Sequence, residues 1–303
     1  MSPASKTSPW LVLNNGVKMP ALGLGVFLTP AAQTADAVRT AIQNGYRLID
    51  TAAAYMNERA VGEGIRSSGV PRNELFITTK LWPGQYGYDG AMHGFDGSLS
   101  RLGLDYIDLY LLHWPVPTSF AATVQAYKAM EKVQAEGRAR AIGVSNFLPH
   151  HLQALQNETG VTPALNQIEL NPFYTQPASR AANDERGIVT QAWAPIGGTY
   201  LRNKNAVTSG ADTPLEHPLI IGLAQKYGKT PAQVVIRWHL DHGFSAIPKS
   251  VRPERIVENF DVFDFSLSAG EIAAIDALDT GVFAGANPET FTADTYPTDI
   301  DAQ

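Results

Sequence analysis

Short apolar runs that end on a polar or ionisable residue recur along the chain, and each is followed by a stretch with helical spacing of its apolar positions. The runs are ALGLGVF, then YRLID ending at Asp50, FITTK at Lys80, DLYLLH at His113, AIGVS at Ser145, LNQIE at Glu169, IVTQAW at Trp193 and SAIPK at Lys249. From Asp50 to Trp193 successive ends lie 30, 33, 32, 24 and 24 residues apart, the length of a strand, a crossover and a helix. Eight such units predict an α/β chain of parallel strands alternating with helices. Helix starts are expected at Thr29-Pro30, at Asn57-Glu58 and at Thr230-Pro231, the last just after Gly228 closes the preceding helix.

The units run without a Pro/Gly/Ser-rich linker or a shift in composition, so 1–303 reads as one closed barrel rather than two domains. The 56 residues from Trp193 to Lys249 exceed one unit, and the polar, Gly/Thr/Asn-rich part at about 198–217 is expected to be a long loop over the top of the barrel. A second loop or tail is expected at about 279–303. VLNNGVKMP at 12–20 places an Asn-Gly turn between two short extended pieces, a hairpin positioned to plug the N-terminal mouth. An open doubly wound sheet would need GxGxxG; Gly23 and Gly25 supply half of it, but Leu28 stands at the third glycine. A phosphate loop fails too, since Gly222 and Gly228 are separated by five residues instead of four, on a helix.

Composition narrows the chemistry. Of 303 residues 44% are hydrophobic and 17% charged, which suits a large core, and 23 basic against 29 acidic residues leave a net charge of −6. That balance argues against a nucleic-acid partner, whose phosphates call for Lys and Arg. The absence of cysteine removes disulfides, thiolate nucleophiles, iron-sulfur clusters and Cys-ligated zinc. No signal-peptide core precedes the barrel and no 18 consecutive apolar residues occur, so a cytoplasmic protein without membrane partners, working as a monomer, is expected. The glycosylation pattern Asn157-Glu158-Thr159 is then accidental.

Ionisable residues gather at the C-terminal ends of the predicted strands, where a barrel assembles its active site. Asp50, Lys80 and His113 end three consecutive units and Tyr55 follows Asp50 by five residues. Taken singly, Asp50 could cap a helix, Lys80 snorkel and His113 sit in the core; four together at adjacent ends suit proton donation better. A phenol of pKa about 10 is a weak acid at neutral pH, and a neighbouring ammonium makes its proton easier to release. Lys80 can supply that charge, Asp50 can hold Lys80, and His113 is left to orient a carbonyl oxygen. No metal site is expected: His150 and His151 are adjacent, and no HExxH spacing occurs.

GYRLIDTAAAYMNE, FITTKLW, LYLLHWP, IGVSNF, LNQIELNPF and IPKSVRPERIVEN follow in that order across most of the chain, and together they resemble the aldo-keto reductase family. The resemblance implies the (β/α)8 TIM barrel, reversible reduction of an aldehyde or ketone, NADPH bound without a Rossmann motif, and Asp50, Tyr55, Lys80 and His113 as a catalytic tetrad. It places Ser145, Asn146 and Gln167 on the nicotinamide carboxamide and Trp193 on the nicotinamide face; the indole resembles the bacterial 2,5-diketogluconate reductase branch. Lys249, Ser250 and Arg255 match the 2′-phosphate positions, and Glu258 and Asn259 the adenine contacts. A strand-end turn, a buried strand glutamine, a core tryptophan and helix-start charge are the plainer readings of these same residues. Phe27, Trp82 and Trp114 are expected to wall a pocket for a small carbonyl substrate, with Met56 and the segment 281–289, which includes Phe283, placed to set its preference. A nucleotide-sensing regulatory barrel is the alternative; it needs an added partner-binding segment, where this chain has a short leader and tail.

Overall fold

A computed structural model of the protein describes residues 7–197 and 213–302. Eight parallel strands form one sheet in sequence order: β3 (Gly23–Gly25), β4 (Leu48–Asp50), β5 (Phe76–Leu81), β6 (Ile107–Leu112), β7 (Ala139–Ser145), β8 (Leu165–Glu169), β9 (Val189–Trp193) and β10 (Ser245–Ala246). Parallel bridges Leu22↔Ala246 and Gly25↔Lys249 join the last strand to the first and close the barrel. Around it lie α1 (Ala31–Gln43), α2 (Glu58–Ser67), α3 (Tyr88–Leu102), α4 (Phe120–Ala135), α5 (Pro149–Glu158), α6 (Pro177–Asp184), α7 (Pro218–Tyr227), α8 (Pro231–Asp241), α9 (Pro253–Phe260) and α10 (Ala269–Asp276).

Strands β1 (Trp10–Val12) and β2 (Lys18–Pro20) form the expected hairpin, turning at Gly16 with φ 83°. Leu13 and Met19 are buried against Leu48, Phe76, Leu109 and Leu165 and make the apolar floor of the barrel. Asn14 and Asn15 fasten the hairpin by donating to the carbonyls of Pro163 (2.9 Å) and Arg140 (3.0 Å). Side chains alternate across a strand, so two residues above the floor the interior turns polar. There Gln167 Nε2 donates to Asp50 Oδ2 and to Gln191 Oε1, both at 2.7 Å, and Gln191 Nε2 donates to Ser245 Oγ at 2.9 Å. One more inward position up, Lys80, Ser145, Glu169 and Trp193 reach the top.

Several expectations change in detail. ALGLGVF and SAIPK shrink to β3 and β10: Pro248 has no N–H to donate, so past Ala246 the pairing resumes only at the bridge Gly25↔Lys249, where Gly25 N–H donates to the Pro248 carbonyl. Thr29 does not cap α1, which begins after Pro30 without a side-chain cap. Thr230 does cap α8, in a capping box with Gln233, and Gly228 ends α7 at φ 62°. Of the top loop at 198–217, residues 198–212 lie outside the described residues; Thr213 is buried and Pro214–Glu216 form a 3₁₀ turn into α7. The C-terminal segment is a loop with short 3₁₀ turns at Ala293–Thr295 and Ile300–Ala302.

The described non-glycine residues with positive φ are Leu28, Met56, Val116, Asn146, Gln176 and Ala194, and all six lie in segments that follow the C-terminal end of a barrel strand and precede the next α-helix. The left-handed region is unfavourable for a side chain with a Cβ, so this backbone strain is confined to one face.

His239 on α8 is fully buried, its Nε2 2.9 Å from the carbonyl of Pro195 just beyond β9, and burial lowers its pKa to about 3. A histidine held neutral in the fold but free to protonate when unfolded contributes stability above about pH 6.5, and that stability is lost as pH falls towards 3. Between pH 6.5 and 5 this ring alone is expected to remove about 2 kcal/mol. Denaturant unfolding across that range checks it: His239→Gln should flatten the slope, and an unchanged slope would show that other groups set it.

Candidate active site

Beyond β4 the chain makes one 3₁₀ turn, Ala53–Tyr55, and leaves it through Met56 at φ 55°. The two residues that follow hold this turn. Asn57 Oδ1 accepts from Thr51 Oγ1 at 2.9 Å, and its Nδ2 donates to the carbonyls of Val26 (3.0 Å) and Thr29 (3.3 Å). Glu58 is buried and accepts from Thr79 Oγ1 (2.6 Å) and Arg101 Nε (2.7 Å). Asn57 occupies the N-cap position of α2, but its side chain makes no cap bond. Its work, with Glu58, is to anchor the turn that carries Tyr55 to the strands on either side.

Lys80 points into the barrel because Thr79 points out. Its Nζ lies 2.5 Å from Asp50 Oδ1, 2.8 Å from the Thr51 carbonyl and 3.3 Å from Tyr55 Oη. Both Lys80 and Asp50 are buried. Burial works against the lysine's charge, but the attraction of Asp50 and Tyr55 outweighs it and holds Lys80 above its ordinary pKa. Burial lifts Asp50, while Lys80 and the bonds from Lys80 and Gln167 draw it back. At Tyr55 burial also dominates: the expected lowering by Lys80 is present, yet the phenol stays above its usual range and is protonated at neutral pH. His113 completes the set, its ring edge-on to Tyr55 with centroids 5.7 Å apart. Burial, reinforced by Lys80, holds it well below the usual imidazole pKa, so it is neutral. Its Nδ1 is buried without a hydrogen-bond partner among the described residues.

Ser145, Asn146, Gln167 and Trp193 meet at an adjoining corner. Trp193 Nε1 donates to Asn146 Oδ1 at 2.8 Å; Asn146 Nδ2 donates to the His113 carbonyl (3.0 Å) and to Ser145 Oγ (3.1 Å); Ser145 Oγ donates to the Gln167 carbonyl (2.8 Å). Asn146 thus fixes the indole as well as offering polar atoms to a ligand, and a carboxamide bound here would exchange some of these bonds. Trp193 also lines a cavity with Phe147, Leu148, Ile168, Glu169, Tyr174, Gln176, Phe283, Ala286 and Pro288. Across the mouth, Lys249, Arg252 and Arg255 are exposed around the N-terminus of α9, and among the described residues none of the three is in an ion pair. Ser250 Oγ accepts from Arg252 N–H at 3.1 Å. Glu258 accepts from Thr230 Oγ1 at 2.9 Å, a tie to α8, and Asn259 is buried beside it.

Of the expected pocket walls, Phe27 is exposed with its ring 5.0 Å from Tyr55, and buried Trp82 meets His113 edge-on at 5.2 Å. Trp114 is buried beside His113, with ring centroids 6.4 Å apart. One face is covered by Phe291, stacked at 4.1 Å and 2°, and Phe291 also meets Trp82 edge-on at 5.8 Å. The C-terminal loop therefore fills part of the aromatic slot. Two residues without an assigned role in the sequence, Glu169 and Phe291, secure this loop: the Glu169 carboxylate accepts from Ala284 N–H (3.0 Å) and Gly285 N–H (3.0 Å). A Cβ on Gly285 would come within 2.6 Å of Trp193, so glycine is what lets the loop lie on the indole edge. The sequence signal for Glu169 was its place at a strand end; Phe291 had none.

The sequence profile of the Aldo/keto reductase family matches residues 21–280, leaving most of the C-terminal loop beyond it. Morphine 6-dehydrogenase of Pseudomonas putida is 55% identical over 281 residues, covering 93% of this chain and 95% of its own length. Methylglyoxal reductase DkgA of Escherichia coli K12 is 47% identical over 279 residues, covering 92% and 96%. The solved structure of an aldo-keto reductase from Bombyx mori in complex with NADP superposes with a TM-score of 0.84 at 35% identity, covering 92% and 95%.

Proposed function

The chain belongs to the aldo/keto reductase family, and from that membership we propose a specific enzyme: one domain, reducing an aldehyde or ketone reversibly with NADPH, with Asp50, Tyr55, Lys80 and His113 as its catalytic residues. The observation that carries the reading is the Asp50–Lys80–Tyr55 chain of contacts at 2.5 and 3.3 Å beside a neutral His113. Tyr55 holds a proton at Oη. As that proton moves to a carbonyl oxygen, Lys80 stabilises the phenolate left behind, and Asp50 keeps Lys80 charged and in place. A neutral imidazole at His113 donates one N–H to the same oxygen and orients it. When bound, the reduced nicotinamide supplies the hydride that reaches the carbonyl carbon.

The residues fit this cofactor on chemistry present in the fold: an indole face at Trp193, amides and a hydroxyl at Asn146, Gln167 and Ser145, and exposed cations with Ser250 at the start of α9, where the helix end also favours a phosphate. Glu258 and Asn259, further along α9, are the residues we assign to the adenine, and the Bombyx mori relative is in complex with NADP. Arg255→Ala is expected to weaken NADPH about tenfold or more and to leave NADH nearly unchanged, because only the former carries the 2′-phosphate. Equal losses in a fluorescence titration would place phosphate recognition elsewhere.

The substrate is a small carbonyl compound flanked by Phe27, Trp82, Met56 and the loop with Phe283. A cytoplasmic monomer without nucleic-acid or membrane partners completes the reading; the net charge of −6 argues against a phosphate-rich partner, and none of the described helices is long and apolar enough to cross a membrane. The intact tetrad favours catalysis over a sensor role. Following NADPH absorbance with aldehydes, keto sugars, keto esters and aromatic ketones tests the proposal; consumption with none of them would return the sensor reading.

A further inference from the structure

We propose that His150, His151 and Glu289 form a binding site for a late first-row divalent metal ion, zinc being the best match, which staples the C-terminal loop to the start of α5. Their ligand atoms lie within 4.8 Å of one another. His150 Nε2 is 3.3 Å from Glu289 Oε1 and His151 Nε2 is 3.6 Å from Glu289 Oε2. A tetrahedral ion with bonds of about 2.0–2.1 Å separates its ligands by about 3.3–3.4 Å, and each imidazole stands within a few tenths of an ångström of that spacing from one oxygen of the Glu289 carboxylate. Two imidazoles and a carboxylate suit zinc, cobalt or nickel, where magnesium and calcium take oxygen alone.

The second observation is an orphaned atom. His151 is 3% exposed, and among the described residues its buried Nε2 has no hydrogen-bond partner, the Glu289 carboxylate standing 3.6 Å away. A buried imidazole N–H is ordinarily satisfied. The two neighbouring rings have centroids 4.0 Å apart, so both edges reach the same carboxylate. His151 Nδ1 accepts from Leu148 N–H at 3.2 Å, which puts the ring proton on Nε2 in the metal-free protein. Metal uptake moves that proton to Nδ1 and gives up the long Leu148 contact, with no net change in protonation of this ring. His150 and Glu289 are well exposed, leaving water to complete the coordination shell.

The site lies outside the catalytic set, but Glu289 is two residues from Phe291, so the ion would hold the segment that covers Trp114. The test uses the full chain without a histidine tag, stripped with chelator and titrated with Co²⁺ for its visible spectrum and with Zn²⁺ for thermal stability. One ion per chain is expected, with a tetrahedral cobalt spectrum and a rise in Tm. Because His151 is buried at the start of α5, the variants are the exposed His150→Gln and Glu289→Gln, each expected to weaken binding about tenfold or more. Metal-free carbonyl reduction should match wild type in His150→Gln, which lies outside the substrate loop. Absence of stoichiometric cobalt binding, or equal binding by wild type and both variants, would overturn the proposal.

Discussion

Tyr55→Phe is expected to lower turnover about 100- to 1000-fold while NADPH binding and folding survive. Loss of one donor aimed at a developing oxyanion typically raises the barrier by about 2.7–4 kcal/mol. The hydroxyl accepts a 3.3 Å bond from Lys80, and the ring keeps its packing against Phe27 at 5.0 Å, so the substitution removes a proton and little else. The turn is held by Asn57 and Glu58, neither of which touches the phenol oxygen. Steady-state turnover at saturating NADPH, beside fluorescence quenching for cofactor affinity, separates the two quantities. A variant that turns over like wild type would exclude Tyr55 as the donor.

Asp50→Asn should act on stability and rate together. It leaves the Lys80 ammonium buried with the Thr51 carbonyl at 2.8 Å and no anion beside it. Removing one partner of a buried ion pair typically costs about 3–5 kcal/mol. The lysine is then driven to shed its proton, and with it goes the charge that stabilises the phenolate, so turnover falls as well. Adding Lys80→Met removes the stranded charge: the double variant should regain part of the stability measured by urea unfolding and none of the activity. If the double variant is no more stable than Asp50→Asn, the loss came from packing and not from the unpaired ammonium.

The ends of the central strands were legible because a barrel strand alternates apolar and polar positions about a single top, and Asp50, Lys80, Ser145, Glu169 and Trp193 all close or nearly close their strands. The first and last strands were overextended from sequence. Pro248 has no N–H to give a ladder, and nothing local says that its carbonyl serves Gly25. Asn57 and Glu58 matched a helix start because those residue types favour one, but long-range partners at Val26, Thr79 and Arg101 claimed their side chains. Least legible was the contact of Phe291 on Trp114, formed across 177 residues by a loop with no periodicity. That Asp50, Tyr55, Lys80 and His113 would gather at one mouth was readable from spacing and resemblance, whereas the net rise of the Tyr55 pKa depends on burial and was not.

The six left-handed residues bear on how such an enzyme can change over generations. Each holds about 1 kcal/mol that glycine would release, and every one sits on the lip of the barrel, none on its floor. Selection for heat resistance alone would be free to relax Leu28, Met56 or Ala194, and in doing so would loosen the loops that flank Tyr55 and Trp193. Stability and reactivity are therefore drawn from the same few backbone angles. A lineage in search of a new carbonyl can rewrite the lip while Leu13, Met19 and the apolar layer beneath keep the fold.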